Sequence, residues 1–164
     1  MKVYGVTGWK NAGKTGLMER LVAEISGRGL TVSTVKHAHH DTDVDQPGRD
    51  SFRHRAAGAR EVLLASPHRW ALMHELRDMP EPSLADLMTR LSPVDLVLIE
   101  GYKREPHPKI EAFRAQNGKP PLAGRNDTIR AVASDVPHPD LSLPCIDLND
   151  TAAIADFILR EVGL

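Results

Sequence analysis

Eight residues close to the amino terminus, Gly8-Trp9-Lys10-Asn11-Ala12-Gly13-Lys14-Thr15, constrain this chain more than any other feature. They follow a short β-rich run, residues 2–7 (KVYGVT), and lead straight into residues 15–26, where Leu17, Leu21, Val22 and Ile25 recur at helical spacing. A strand, a tight glycine turn and a helix in that order open a βαβ unit, so a parallel sheet is expected. The spacing is G-x-x-x-x-G-K-[ST], and its residue types have a physical reason. Gly8 and Gly13 let the backbone curl until successive N–H groups point at one anion, and the helix terminus adds its partial positive charge. Lys14 is expected to reach β- and γ-phosphates, Thr15 to ligate a magnesium ion bridging them, and Lys10 to add a second charge. Trp9, Asn11 and Ala12 complete the nucleotide-binding loop.

The rest of the chain repeats the alternation. Gly27 and Gly29 end the first helix. Residues 31–36 (TVSTVK) read as a strand, the region around residues 51–57 as a short helix, and residues 61–66 and 69–76 as strands. Ser83 can cap a helix running to Leu91, and residues 95–100 (DLVLIE) are apolar enough for a strand covered on both faces and central in the sheet. Residues 109–115 and 129–134 are further strands, separated by a Gly/Pro-rich stretch, residues 117–124, expected to be a mobile surface loop. A last helix carries Ile154, Phe157, Ile158 and Val162 on one stripe. The expected architecture is an α/β, P-loop NTPase-like three-layer fold with a mostly parallel central sheet and helices on both faces. With no repeat or composition break, residues 1–164 are expected to form a single nucleotide-binding domain.

Composition narrows the partners. Lys and Arg number 21 against 22 for Asp and Glu, a net charge of -1 that gives no bulk attraction to nucleic acid or anionic lipid. Cys145 is the only cysteine, which excludes an internal disulfide and an all-cysteine zinc site and suits a reducing compartment. The apolar runs are too short to span a bilayer, and no cationic leader precedes the first strand, so a cytoplasmic protein is expected.

Three further places carry candidate chemistry. Glu100-Gly101 ends the apolar run 95–100, where a phosphate-loop protein needs a carboxylate to hold the metal or its water; an incidental solvated acid would give the same pattern. Asp135 follows residues 129–134 and could accept from both N1–H and the exocyclic amine of guanine, a match adenine cannot make. It could equally cap a turn before Pro137. The densest polar string, Lys36-His37-Ala38-His39-His40-Asp41-Thr42-Asp43-Val44-Asp45, follows the second strand. It could act as a switch or partner loop through His37, His39, His40, Asp41 and Asp43, hold a transition metal, supply the magnesium with an outer-shell Asp, with Asp41 beside Glu100 as the catalytic carboxylates, or be a solvated loop. His68, His107 and His138 stand beside prolines and read as surface residues, and Cys145 as a packed small side chain.

Taken together, GWKNAGKT at 8–15, KHAHHDTDVD at 36–45, PGRDS at 47–51, RWALM at 69–73, IEGYK at 99–103, Lys109-Ile110 and AVASDVP at 131–137 resemble the MobB family of molybdopterin-guanine dinucleotide biosynthesis adapter proteins. The resemblance spans essentially the whole chain, and the His/Asp string with RWALM and EGYK is its specific part. It implies a GTP-binding phosphate-loop protein related to the signal-recognition and MinD-like class, homodimeric and at most a weak GTPase. The implied partners are the guanylyltransferase MobA, which attaches GMP to molybdopterin, with molybdopterin and molybdenum-insertion proteins beyond it. Carried over by position, Gly8, Gly13, Lys14 and Thr15 hold GTP phosphates, while Glu100 and Gly101 form the metal-side strand end with Mg2+.

Two other classes share the loop. A metallochaperone GTPase would also join it to a His-rich string, although without a Cys-containing ligand set here. A small-molecule kinase would transfer the γ-phosphate; the sequence shows no Arg-rich lid pattern, although Arg49, Arg53, Arg55 and Arg60 keep that reading open.

Overall fold

The computed structural model describes residues 1–38 and 43–164. In chain order its elements are β1 (Lys2–Thr7), α1 (Lys14–Gly27), β2 (Val32–Lys36), α2 (Asp50–Ala56), β3 (Glu61–Ala65), β4 (Trp70–His74), α3 (Leu84–Met88), β5 (Leu96–Glu100), β6 (Lys109–Phe113), β7 (Ile129–Ser134), β8 (Cys145–Asp147) and α4 (Thr151–Val162). Two 3-10 turns, Ala115–Asn117 and Ala123–Arg125, lie between β6 and β7. The chain divides into two compact units, one formed by Met1–Ala38 with Ser92–Leu164 and the other by His39–Leu91.

The first unit holds a six-stranded sheet in the order β2-β5-β1-β6-β7-β8, with every neighbouring pair parallel. This is the α/β, P-loop NTPase-like architecture. The run at 96–100 is an interior strand, paired with β1 on one side and β2 on the other. Strand periodicity decides the core. Tyr4, Val6, Leu96, Leu98, Ile110, Ala112, Ala131 and Ala133 share one face and pack against Leu17, Leu21 and Ile25 of α1 and Ile154, Ala155 and Ile158 of α4. Asp150 caps α4 by accepting the Ala153 N–H at 2.9 Å, and Arg20 joins the two helices by donating to Thr151 Oγ1 at 2.9 Å and Leu148 O at 2.8 Å. On the other face, Phe113, Ile129 and Val132 pack against Ala123 of the second 3-10 turn, with Leu141 and Leu143 beside them.

That second face also buries Thr7, Lys109, Glu111 and Ser134. A buried carboxylate requires partners, and Glu111 finds them in the backbone N–H groups of Leu122 and Ala123, each at 2.8 Å. The stretch at 117–124, expected as a mobile surface loop, is therefore pinned to the sheet near its carboxyl end. Two other expectations are corrected. His107 is half-buried rather than a surface residue, because the absent side chain of Gly5 leaves room for its ring: a Cβ there would lie 2.7 Å from His107 Nε2. Cys145 is exposed rather than packed, at the start of a three-residue strand that follows Pro144 too closely to show periodicity.

The second unit contains α2, the antiparallel pair β3-β4 and α3. Ser83 accepts the Asp86 N–H while the Asp86 carboxylate accepts the Ser83 N–H, a capping box that starts α3; the helix stops at Met88, short of the expected Leu91. Arg55 donates to Asp43 at 2.8 Å, Asp45 at 3.3 Å and Glu75 at 2.7 Å. No described helix is long and apolar enough to cross a membrane.

Candidate functional site

Because all six strands of the sheet are parallel, their carboxyl ends lie on one edge, and ligands of open α/β sheets bind outside that edge. The loop at 8–13 leaves β1 there. Gly8 has φ +144°, and a Cβ on it would collide with the carbonyl oxygen of Ala112 in the neighbouring strand β6. Gly13 has φ +88° and immediately precedes α1. Asn11, between them, also takes a positive φ of 64°, which asparagine tolerates better than most residues. No side chain caps α1, which leaves the first-turn N–H groups of a fourteen-residue helix facing the loop. Ala12 is buried, while Lys10 stays exposed.

Lys14 folds back over this loop and donates to the Trp9 carbonyl at 2.8 Å. Burial holds its ammonium below the ordinary lysine value; the Glu100 carboxylate opposes that shift, and Lys103 and Lys36 reinforce it. Glu100 ends β5 in register with Val6 of β1 and Lys36 of β2. Its side chain is 13 % exposed, with Lys36 Nζ 3.8 Å from Oε2. The strand then turns sharply: Gly101 has φ +96°, its missing Cβ would lie 3.1 Å from His37 Cβ, and the His37 ring stacks on Tyr102 with centroids 4.4 Å apart. The Thr15 hydroxyl has no protein partner among the described residues. A free hydroxyl and a carboxylate are the oxygen donors a hard divalent cation takes.

The loop is braced from outside by a contact that carried no sequence signal. Trp9 Nε1 donates to Pro120 O at 2.9 Å, and the ammonium groups of Lys103 and Lys119 lie over its ring at 5.0 and 6.0 Å. Pro120 belongs to the same segment whose Leu122 and Ala123 N–H groups Glu111 accepts.

Asp135 sits just past β7 on the same edge, with Oδ1 accepting the Ala115 N–H at 2.9 Å. It lines an open groove of about 300 Å³ together with Ser134, Pro137, Cys145 and Asp147, at the ends of β7 and β8. Asp147 was not singled out from sequence, because β8 was not.

Of the polar string at 36–45, His37 stands at the end of β2, whereas His39, His40, Asp41 and Thr42 lie outside the described residues. Asp43 and Asp45 belong to the other unit, where both bind Arg55 and Asp45 also accepts from the Ser51 hydroxyl at 2.9 Å. Among the described residues no group of three His, Cys, Asp or Glu side chains is placed to hold a metal ion.

A family model described as molybdopterin guanine dinucleotide synthesis protein B matches residues 3–135. The molybdopterin-guanine dinucleotide biosynthesis adapter protein of Escherichia coli (strain K12) is 43 % identical over 155 residues, covering 93 % of this chain and 88 % of that protein. Its Haemophilus influenzae counterpart is 40 % identical over 159 residues, covering 95 % and 86 %. The fold is also similar to the crystal structure of a MobB homologue from Bacillus stearothermophilus, with a TM-score of 0.74 at 30 % identity and 99 % of both chains covered.

Proposed function

Because the chain belongs to the MobB family of molybdopterin-guanine dinucleotide biosynthesis adapter proteins, we propose that it is a GTP-binding adapter that assists the guanylyltransferase MobA. The observation carrying this reading is the loop itself: two glycines with positive φ, an uncapped helix start and an ammonium bonded only to a backbone carbonyl form a cradle for an anion.

In this reading Lys14 exchanges the Trp9 carbonyl for β- and γ-phosphate oxygens, and the backbone N–H groups from Gly8 to Thr15 take the remaining oxygens. Thr15 and Glu100 would hold Mg2+, which when bound neutralises charge on the phosphate chain. Glu100 then carries out the metal-side role and Gly101 provides the turn behind it. Asp135 reads guanine from the groove at the ends of β7 and β8. Water-positioning groups are not evident among the described residues, so isolated turnover is slow and nucleotide binding is the working event. His37, His39, His40, Asp41 and Asp43 supply a partner-facing segment, with Asp41 as a further carboxylate. MobA, molybdopterin and molybdenum-insertion proteins are the partners, and the compartment is the cytoplasm.

The protein works as a homodimer. Leu63, Leu72 and Trp70 lie on one face of the β3-β4 pair and are 61 %, 44 % and 67 % exposed, an apolar surface that suits a second copy. Sedimentation at micromolar concentration separates dimer from monomer.

The test is calorimetry with GTP and ATP, each with and without magnesium, followed by cofactor-dependent activation of an apo-molybdoenzyme with MobA, molybdopterin and GTP. GTP-preferring binding that Lys14→Ala abolishes, with stimulation of guanylated cofactor yield, supports the reading. No stimulation at any ratio to MobA, or rapid multiple-turnover hydrolysis by the protein alone, overturns it.

A further inference from the structure

We infer that Arg114 is a second phosphate-binding cation, which reaches the nucleotide's phosphate chain from the end of β6. The inference rests on the nucleotide-binding reading and goes beyond it, since the loop pattern itself holds no arginine.

Arg114 is the first residue after β6, on the sheet edge where β1 releases the loop. Its guanidinium lies against Gly13: a Cβ on that glycine would be 3.1 Å from Arg114 Nε and 3.6 Å from Nη2. Gly13 thus combines a positive φ with close approach of this guanidinium to the loop. The arginine is half-buried, and among the described residues no carboxylate or carbonyl accepts from it. A partly desolvated guanidinium without an acceptor is costly, and the negative charge of a phosphate is what relieves the cost. The neighbouring charges fit. Lys14 already lies on this loop, the Glu111 carboxylate three residues before Arg114 is taken up by the Leu122 and Ala123 N–H groups, and Asp135 at the end of β7 is turned to the N–H of Ala115. Ala115 follows Arg114 directly, so that bond fixes the backbone from which the arginine projects. Arg114 therefore stands between the phosphate loop and the groove lined by Asp135, where the phosphate chain of a nucleotide seated in that groove must pass to reach Lys14.

The experiment is calorimetric titration of GTP with magnesium into the full chain and its Arg114→Ala and Arg114→Lys variants, with thermal melting of each unliganded protein. We expect Arg114→Ala to weaken GTP at least tenfold with an unchanged melting temperature, and Arg114→Lys to recover most of that loss by restoring the charge. GTP binding by Arg114→Ala equal to the parent overturns the inference, as does an equal loss in both variants, which would mean that shape and not charge matters. If the parent itself fails to bind GTP, the nucleotide-binding reading falls instead.

Discussion

Asp135 ties the end of β7 to the end of β6, its Oδ1 accepting the backbone N–H of Ala115 at 2.9 Å. That bond makes a clean test of base reading possible. In Asp135→Asn the amide oxygen can keep the Ala115 N–H, which leaves the new NH2 group where a carboxylate oxygen would meet guanine. A donor then faces the guanine N1–H and exocyclic amine. GTP should weaken by about 2 to 4 kcal/mol, the GTP to ATP preference should narrow, and xanthosine triphosphate should gain relative to GTP. Parallel calorimetric titrations measure all three, and an unchanged GTP to ATP ratio would remove Asp135 from the base pocket.

Gly8→Ala should be poorly tolerated. The new Cβ would meet the Ala112 carbonyl, which is backbone inside a buried strand and cannot swing aside, and the φ of +144° is strained for any L side chain. We expect about 2 kcal/mol or more of lost stability in urea unfolding, together with loss of GTP binding in the protein that remains folded. An alanine variant as stable as the parent would mean that the loop approaches β6 less closely.

These two positions show what was legible in the sequence. The phosphate loop was, because its spacing encodes local backbone geometry that needs no tertiary information. So was β5, a near-continuously apolar run that must be covered on both faces and so lies inside a parallel sheet. Arg114 and Glu111 were not. Their importance comes from β6 lying next to β1 and from a loop folding over β6, and strand order leaves no periodic trace. Cys145 was read as packed and Asp147 was missed for a different reason, because a strand of three residues is too short to alternate visibly. His107 was misread because a neighbouring proline signals a loop but says nothing about whether a glycine on the adjacent strand has opened a place for the ring.

Glu111→Gln tests the link between the buried carboxylate and the loop. The carboxylate accepts three N–H contacts from Leu122 and Ala123, whereas an amide presents one oxygen and turns its NH2 toward a donor. Leaving a buried donor unpaired costs about 1 to 3 kcal/mol, which urea unfolding would register. Pro120 lies in the same segment and accepts from Trp9 Nε1, so the fluorescence of Trp9 should change as well. Recording it in a Trp70→Phe background leaves Trp9 as the only indole. Loss of stability without a change in Trp9 emission would show that the segment does not brace the loop.

Acid sensitivity should trace to His107. Burial lowers its pKa from 6.5 to about 4, and the neighbouring Lys109 ammonium adds to the shift. Lys109 is itself fully buried, its Nζ donating to the carbonyl oxygens of Glu105 and His107 and to Thr128 Oγ1. The folded pKa is depressed, so on acidification the unfolded chain takes up this proton first. The contribution to stability is complete above pH 6.5 and is lost as pH falls from 6.5 toward 4. The whole shift corresponds to about 3.4 kcal/mol, and the ring's partial exposure reduces this to about 1 to 2 kcal/mol. The lowered carboxylates Asp43, Asp86 and Asp95 lose their contributions only below about pH 4, and Glu111, which burial raises above the ordinary glutamate value, adds stability on acidification, so neither accounts for a loss in this window. Urea unfolding at pH 7, 6, 5 and 4.5 should therefore show the parent losing stability faster than His107→Gln, with the two curves converging toward the acid end. Parallel curves would assign the acid sensitivity to other groups and place the His107 ring in contact with water.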